Sequence, residues 1–491
     1  MKNKELQQSD LDSLMMLFSN EEFEKGLVVA KDLIEIFPNN AFLHNITGAF
    51  FSSQGSANSA IECFAKAISI DPLYAKAYYN LAGVYHDQGQ LDKSVKTYEE
   101  SLIIDPEFAD SHNNLGNVLR ELGRFDEAIA SYKKTISIKS DYVEAFYSIS
   151  LIYQELGDID SMIEYSNKVL NFEPNLHEVY NRIGLGLREL GELNDSIGSF
   201  QSAVKINPNY SEAHNNLGNS FNDLGRFESA ISSYKDAIKI TPDFPTYHNN
   251  LGNAFKELNQ IENAVNAYKE GLSHNPENVD SLNNLGVAFI EIDKVYEAAE
   301  YFKKVIEISP DSPEAYNNLG AAYKRLDKLD DAIDFFDKAL SLNSDYADAH
   351  NNYGTVLNKL GKPSSAVASY KKALTINPNS ADTYNNLGSA YDELEQLDEA
   401  IQYFEKALNI DPDFAEAHCN LGNIFNQLGE YDKAIQSYNN AYKIKPDLGT
   451  ILGYILSAKM NCCDWHDIEA LLESSKEKIY EKSKVIDLFD P

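Results

Sequence analysis

Asparagine recurs in this chain as a doublet, at Asn113-Asn114, Asn215-Asn216, Asn249-Asn250, Asn283-Asn284, Asn317-Asn318, Asn351-Asn352 and Asn385-Asn386. Asn80 and Asn420 hold the second place of the doublet alone. An asparagine amide offers both a donor and an acceptor. A row of such groups therefore suits the backbone N–H and C=O groups of an extended polypeptide, whatever its side chains. The plainer alternative is that the amides tie neighbouring segments together, or merely recur with a duplicated unit. Asparagine is a mediocre helix former, so its pairing inside helical segments needs a reason beyond helix stability. A ligand-facing row is the expectation.

Other chemistry is thin. Six of the ten histidines, His44, His112, His214, His248, His350 and His418, share one column that elsewhere holds Tyr78, Tyr316 and Tyr384. They lie too far apart along the chain to converge on one ion and read as packing residues. Cys63, Cys419, Cys462 and Cys463 make neither a disulfide framework nor a CxxC pair, which fits a reducing cytoplasm. No phosphate loop, dinucleotide fingerprint or nucleophile elbow occurs. The chain is expected to have no catalytic residue, no metal and no cofactor.

The elements that position the amides follow from a period. Prolines stand at Pro38, Pro72, Pro106, Pro174, Pro208, Pro242, Pro276, Pro310, Pro378, Pro412 and Pro446, every gap being 34 or 68 residues. Ser140 and Ser344 fill the two vacant places. Small residues keep the same period, as at Ala128, Ala230 and Ala264, with an aromatic four residues later at Tyr132, Tyr234 and Tyr268. A Leu-Gly pair recurs as at Leu115-Gly116 and Leu251-Gly252. Within one unit, Leu115, Val118, Leu119 and Leu122 predict a first helix ended by Gly123. Phe125, Ala128, Ile129, Tyr132 and Ile136 predict a second. Gly116 and Ala128 allow close approach while Tyr132 fills the space beside them.

Period, Leu-Gly signature and small–aromatic–Pro second half resemble the tetratricopeptide repeat over roughly residues 7–448. The resemblance implies an all-α, right-handed solenoid of about thirteen helix-turn-helix repeats. Its expected parts are a weak N-terminal capping repeat over 1–40, twelve repeats over 41–448 and a C-terminal cap or junction over 449–491. In that family the first helices line a concave groove, which would place Asp110, Asn113, Asn114, Asn117 and Glu121 inside it. The asparagine columns break at Ser148 and Arg182, in a region that also loses its aromatic to Ser166. A flexible joint or a second specificity is the expectation there.

Charge narrows the partners. A net charge of −34 repels nucleic-acid phosphates and anionic lipid headgroups, so neither nucleic acid nor a membrane surface is expected as a partner. No apolar run approaches a membrane span, and no apolar segment follows the basic start as in a secretory signal. The last place of the first helix holds Asp87, Glu121, Glu155, Glu189, Asp223, Glu257 and Glu291, then switches to Arg325 and Lys359. These two cations join the candidate groove residues. Clamps for acidic tails need Lys and Arg where this chain has Asn, so acidic tails are disfavoured partners.

Beyond Pro446 the run GYILSAKMNCCDW resembles the junction of O-linked N-acetylglucosamine transferases and their Spindly-like relatives, through Gly453, Tyr454, Lys459, Met460, Cys463, Asp464 and Trp465. An amphipathic helix is expected near 467–480, and Cys463 beside Trp465 reads as buried packing. The family resemblance implies a substrate-selecting array without its transferase. The rival is a free-standing scaffold whose exit helix caps the array or forms a homodimer contact. An enzyme is the third reading, only if a transferase domain follows residue 491.

Overall fold

The computed structural model describes residues 6–446, 449–464, 466 and 468. Trp465, residues 447–448 and most of the amphipathic helix expected near 467–480 lie outside them. The chain divides into two compact units, Met1–Pro242 and Asp243–Pro491. Helices in the first run from Gln8–Ser19 to Phe227–Ile240, and in the second from Pro245–Glu257 to Gly449–Asn461. No strand occurs among the described residues.

Each unit repeats one motif, a helix A of typically 13 residues and a helix B of 14. Helix A of the repeat that begins at Ala109 ends at Glu121, and Gly123 turns left-handed at φ 71°. The Gly123 N–H then bonds Arg120 O and the Arg124 N–H reaches back to Leu119 O, so the last carbonyls of the helix are satisfied. Asp327 and Glu395 hold the same left-handed place at φ 57° and 58° without glycine's freedom.

Helix B closes on a turn the sequence signals with proline. The residue before the proline caps that turn: Asp71 Oδ1 accepts from the Leu73 N–H at 3.0 Å, Asn207 Oδ1 from Asn209 at 3.1 Å and Asp411 Oδ1 from Asp413 at 3.0 Å. The histidine column closes the turn from the other side. His112 Nε2 meets Pro106 O at 3.0 Å, His214 meets Pro208 O at 3.1 Å and His418 meets Pro412 O at 3.1 Å. Tyr78, in the same column, donates its hydroxyl to Pro72 O. The column pins these turns to the helix that follows.

Helix A meets helix B through glycine. A Cβ on Gly116 would come within 2.7 Å of the Tyr132 ring, and one on Gly252 within 2.4 Å of Tyr268. Both rings are fully buried. Helix B of each repeat packs in turn on helix A of the next, which extends the core from pair to pair within each unit. Where the pattern is broken, the packing is rearranged. Ser166 replaces the aromatic, but Met162 replaces the small residue four places earlier and is buried. The Met162 Cε lies 2.5 Å from where a Gly186 Cβ would stand. Gly186 stands in the column that holds Val118 and Ile152, so a larger residue on helix B is matched by a smaller one on the next helix A.

Candidate functional site

The paired asparagines are brought together across repeats, first column to second. Asn284 donates to Asn249 Oδ1 at 3.1 Å, Asn318 to Asn283 at 2.8 Å and Asn352 to Asn317 at 3.1 Å. Asn386 donates to Asn351 at 3.1 Å and Asn420 to Asn385 at 3.0 Å. In the first unit Asn80 donates to Asn45 at 2.9 Å and Asn216 to Asn181 at 3.1 Å. Every rung spans 35 residues, one more than the period. Adjacent A helices are therefore staggered by one residue where their amides meet.

Each rung uses one of the two N–H groups of its donor. Asn114, Asn284, Asn318, Asn386 and Asn420 are half-buried, while Asn216 is buried. The acceptor column lies deeper, with Asn113, Asn215, Asn317 and Asn385 buried. Asn250 belongs to the donor column by register. Along the same helix face Asp110 and Glu121 are exposed and Asn117 is half-buried. The A-helix face thus keeps a polar row of partly open amides, aimed by the bonds beneath them.

The break in the columns has two halves with different outcomes. Arg182 takes the donor place and finds Tyr147 in the acceptor place, with Nη2 2.9 Å from the Tyr147 hydroxyl and the guanidinium 4.6 Å from its ring. Its Nη1 reaches Ser150 Oγ at 3.1 Å. That rung is kept with different chemistry. Ser148 is too short for its place. Asn113 Oδ1, which it would satisfy, is buried with no hydrogen-bond partner. Ser148→Asn is expected to rebuild the rung and raise stability by about 1 kcal/mol. A denaturant midpoint equal to the parent's would show the orphan to be harmless.

A third asparagine column was not singled out from the sequence. Asn117, Asn219, Asn253 and Asn423 accept the hydroxyls of buried Tyr132, Tyr234, Tyr268 and Tyr438 at 2.6–2.8 Å. Burial raises the Tyr132, Tyr234 and Tyr268 hydroxyl pKa values, and that of Tyr438 to about 12, so all four stay protonated donors at neutral pH. The signal was present as covariation inside the chain. Repeats with Phe302 or Phe336 carry Val287 or Ala321 in that column, while Tyr370 meets Thr355.

Arg325 and Lys359, at the ends of their A helices, are both exposed. The Arg325 guanidinium donates to Ile290 O at 2.7 Å. Lys324 beside it is half-buried and donates to Asn352 Oδ1 at 2.8 Å. Burial, followed by the Lys359 and Arg325 charges, lowers the Lys324 ammonium pKa to about 8. No group of His, Cys, Asp and Glu among the described residues is arranged to hold a metal ion.

In the C-terminal segment, Lys459 pairs with Asp464 at 2.6 Å and Tyr454 stacks on Tyr438. Cys463 is exposed in a left-handed turn at φ 56°, a correction to its reading as buried packing. The turn that ends helix Gly449–Asn461 carries it outward.

Tetratricopeptide-repeat models match residues 73–141, 143–176, 313–346, 345–413 and 415–448, and a further TPR repeat model matches 49–89, 184–221, 218–259, 252–293 and 289–327. The chain belongs to the tetratricopeptide repeat family. Among curated relatives, the peroxisomal targeting signal receptors of Kluyveromyces lactis and Candida albicans are 31% identical over 67 residues, 14% of this chain. The chain spans only 12% and 11% of those relatives. Among solved structures, the Cut9–Hcn1 complex of the APC/C aligns over 91% of this chain and 95% of its own, at 14% identity and TM-score 0.46. MamA aligns over 35% of this chain and 94% of its own, at 33% identity and TM-score 0.30. Yeast Tom70 aligns over 86% and 96%, at 17% identity and TM-score 0.43. The chain is a tetratricopeptide protein-interaction scaffold.

Proposed function

We propose that the A-helix face binds extended polypeptides by their backbones, through the second-column asparagines. The observation that carries this reading is the row of half-buried amides at Asn318, Asn386 and Asn420, each fixed by a rung that takes one of its two N–H groups. Fixed donors lose little freedom on binding, which favours weak bonds repeated along a strand. The names of the two curated relatives, receptors for a targeting signal, agree with a peptide ligand. In its finer form the proposal makes this face the substrate-recognising part of a protein similar to O-linked N-acetylglucosamine transferases, supported by the GYILSAKMNCCDW run.

The test compares two variants on a peptide array. Replacing Asn250, Asn284, Asn318, Asn352 and Asn386 by Ala removes the gripping amides and is expected to weaken extended peptides tenfold or more, since each lost bond contributes about 0.5–1.5 kcal/mol. Replacing Asn249, Asn283, Asn317 and Asn351 by Ala removes rungs yet leaves the gripping amides in place. It is expected to weaken binding severalfold less than the five-Ala variant, because the donors remain and only their fixing is lost. Equal losses in both would make the columns structural ties and end the proposal.

A further inference from the structure

The ends of the A helices carry a second set of contacts across repeats, again at a separation of 35 residues. The penultimate residue of one helix meets the last residue of the next. His86 meets Glu121 at 2.8 Å and Arg188 meets Asp223 at 2.6 Å, in each case a nitrogen base or cation against a carboxylate. Arg120 with Glu155 and Lys256 with Glu291 repeat that complementarity in sequence. At Lys324 and Lys359 the same register places two cations together, with Arg325 adjoining. None of the ion pairs among the described residues includes these three, and Lys359 and Arg325 both act on the Lys324 ammonium.

Three neighbouring cations without a carboxylate repel one another, and they stand out in a chain of net charge −34. Lys324 is also drawn partly out of water and held on Asn352, itself a member of the amide row, through Oδ1 at 2.8 Å. The rung Asn352–Asn317 continues from there. The cations therefore sit at the edge of the proposed peptide track, where the anion of the pattern is missing from the protein.

We propose that Lys324, Arg325 and Lys359 receive one anionic side chain, a carboxylate or a phosphorylated residue, from the polypeptide bound along the A-helix face. This rests on the peptide-binding reading above and adds a specificity to it. The ligand brings the anion that Glu121 and Asp223 supply at the other rungs. The neighbouring helix ends, Glu257, Glu291 and Glu393, are acidic and exposed, so they disfavour further negative charge on either side. The recognised segment carries an isolated acidic residue in a neutral or basic context, which distinguishes it from an acidic tail.

Lys359→Glu provides the discriminating variant. It restores the opposite-charge rung with Lys324, so the protein should melt at or above the parent temperature while losing its receptor. Fluorescent dodecapeptides selected from a random library on the full chain are remade with Glu, phosphoserine or Gln at each acidic place. The parent should prefer Glu or phosphoserine over Gln by about tenfold at one shared place, and K359E should abolish that preference while keeping backbone-driven binding. Either anion outranking Gln in the parent supports the proposal, and their order shows which source fits better. Hits with no acidic preference, or a preference that survives K359E, would overturn the anion receptor alone. Recovery of no peptide at all would overturn the peptide-binding reading with it.

Discussion

Tyr268→Ala is expected to destabilise the second unit by about 3–5 kcal/mol, the usual range for emptying a buried aromatic site. The ring is fully buried between Gly252 and the cluster of Ala264, Leu285 and Ala288. Tyr268→Phe should cost about 0.5–1.5 kcal/mol, and at the low end, because Asn253 Oδ1 also accepts from Asn284 at 3.2 Å and is not orphaned. The loss should stay local. Amide exchange is expected to accelerate in Pro245–Glu257, Ile261–His274 and Val279–Glu291, and much less in Leu397–Ile410. Uniform acceleration across the unit would show that its repeats unfold as one, against a sum of neighbour terms.

The five-Ala variant of Asn250, Asn284, Asn318, Asn352 and Asn386 should fold but lose about 2–4 kcal/mol. Two effects oppose each other. Alanine is the better helix former by up to about 0.7 kcal/mol per site. Against this, broken rungs abandon acceptors, and Asn317 Oδ1 is buried deeply enough for its desolvation to be felt. Removing both members of one rung separates the two effects. Asn318→Ala together with Asn283→Ala should cost less than Asn318→Ala alone, since no acceptor is then left behind. Chemical denaturation of the set decides it, and a five-Ala variant as stable as the parent would remove the rungs from the list of stabilising contacts. Peptide binding by this variant has to be measured well below its own melting temperature.

The period in the sequence revealed the helix pairs, their turns and the Gly–aromatic contact, because those features repeat with the chain and depend on residues within one unit. What it concealed is what lies between units. A column of identical residues shows that a place is repeated, not which neighbour it faces. The one-residue stagger that joins Asn283 to Asn318 comes from how A helices lie side by side, which no period encodes. The departures at Ser148, Ser166 and Arg182 read as one defect in sequence. Packing divides them into an orphaned acceptor, a helix-B methionine matched by Gly186 of the next repeat and a substituted rung. The amides were visible as chemistry from the start, but half of that chemistry is spent inward on the neighbouring repeat.

The stacking has a consequence for how the protein is made. Helices touch mainly their immediate neighbours in sequence and the next but one, so a nascent chain does not have to wait for its C-terminus to find native partners. At about 5–20 residues per second a ribosome releases one repeat every few seconds. Helix pairs with local contacts fold in microseconds to milliseconds, on the order of a thousandfold faster or more. Each emerging pair can therefore dock on a surface already built, and its Asn donor finds the acceptor waiting 35 residues upstream. Within each unit, exposed apolar surface during synthesis is then confined to the face of the newest repeat.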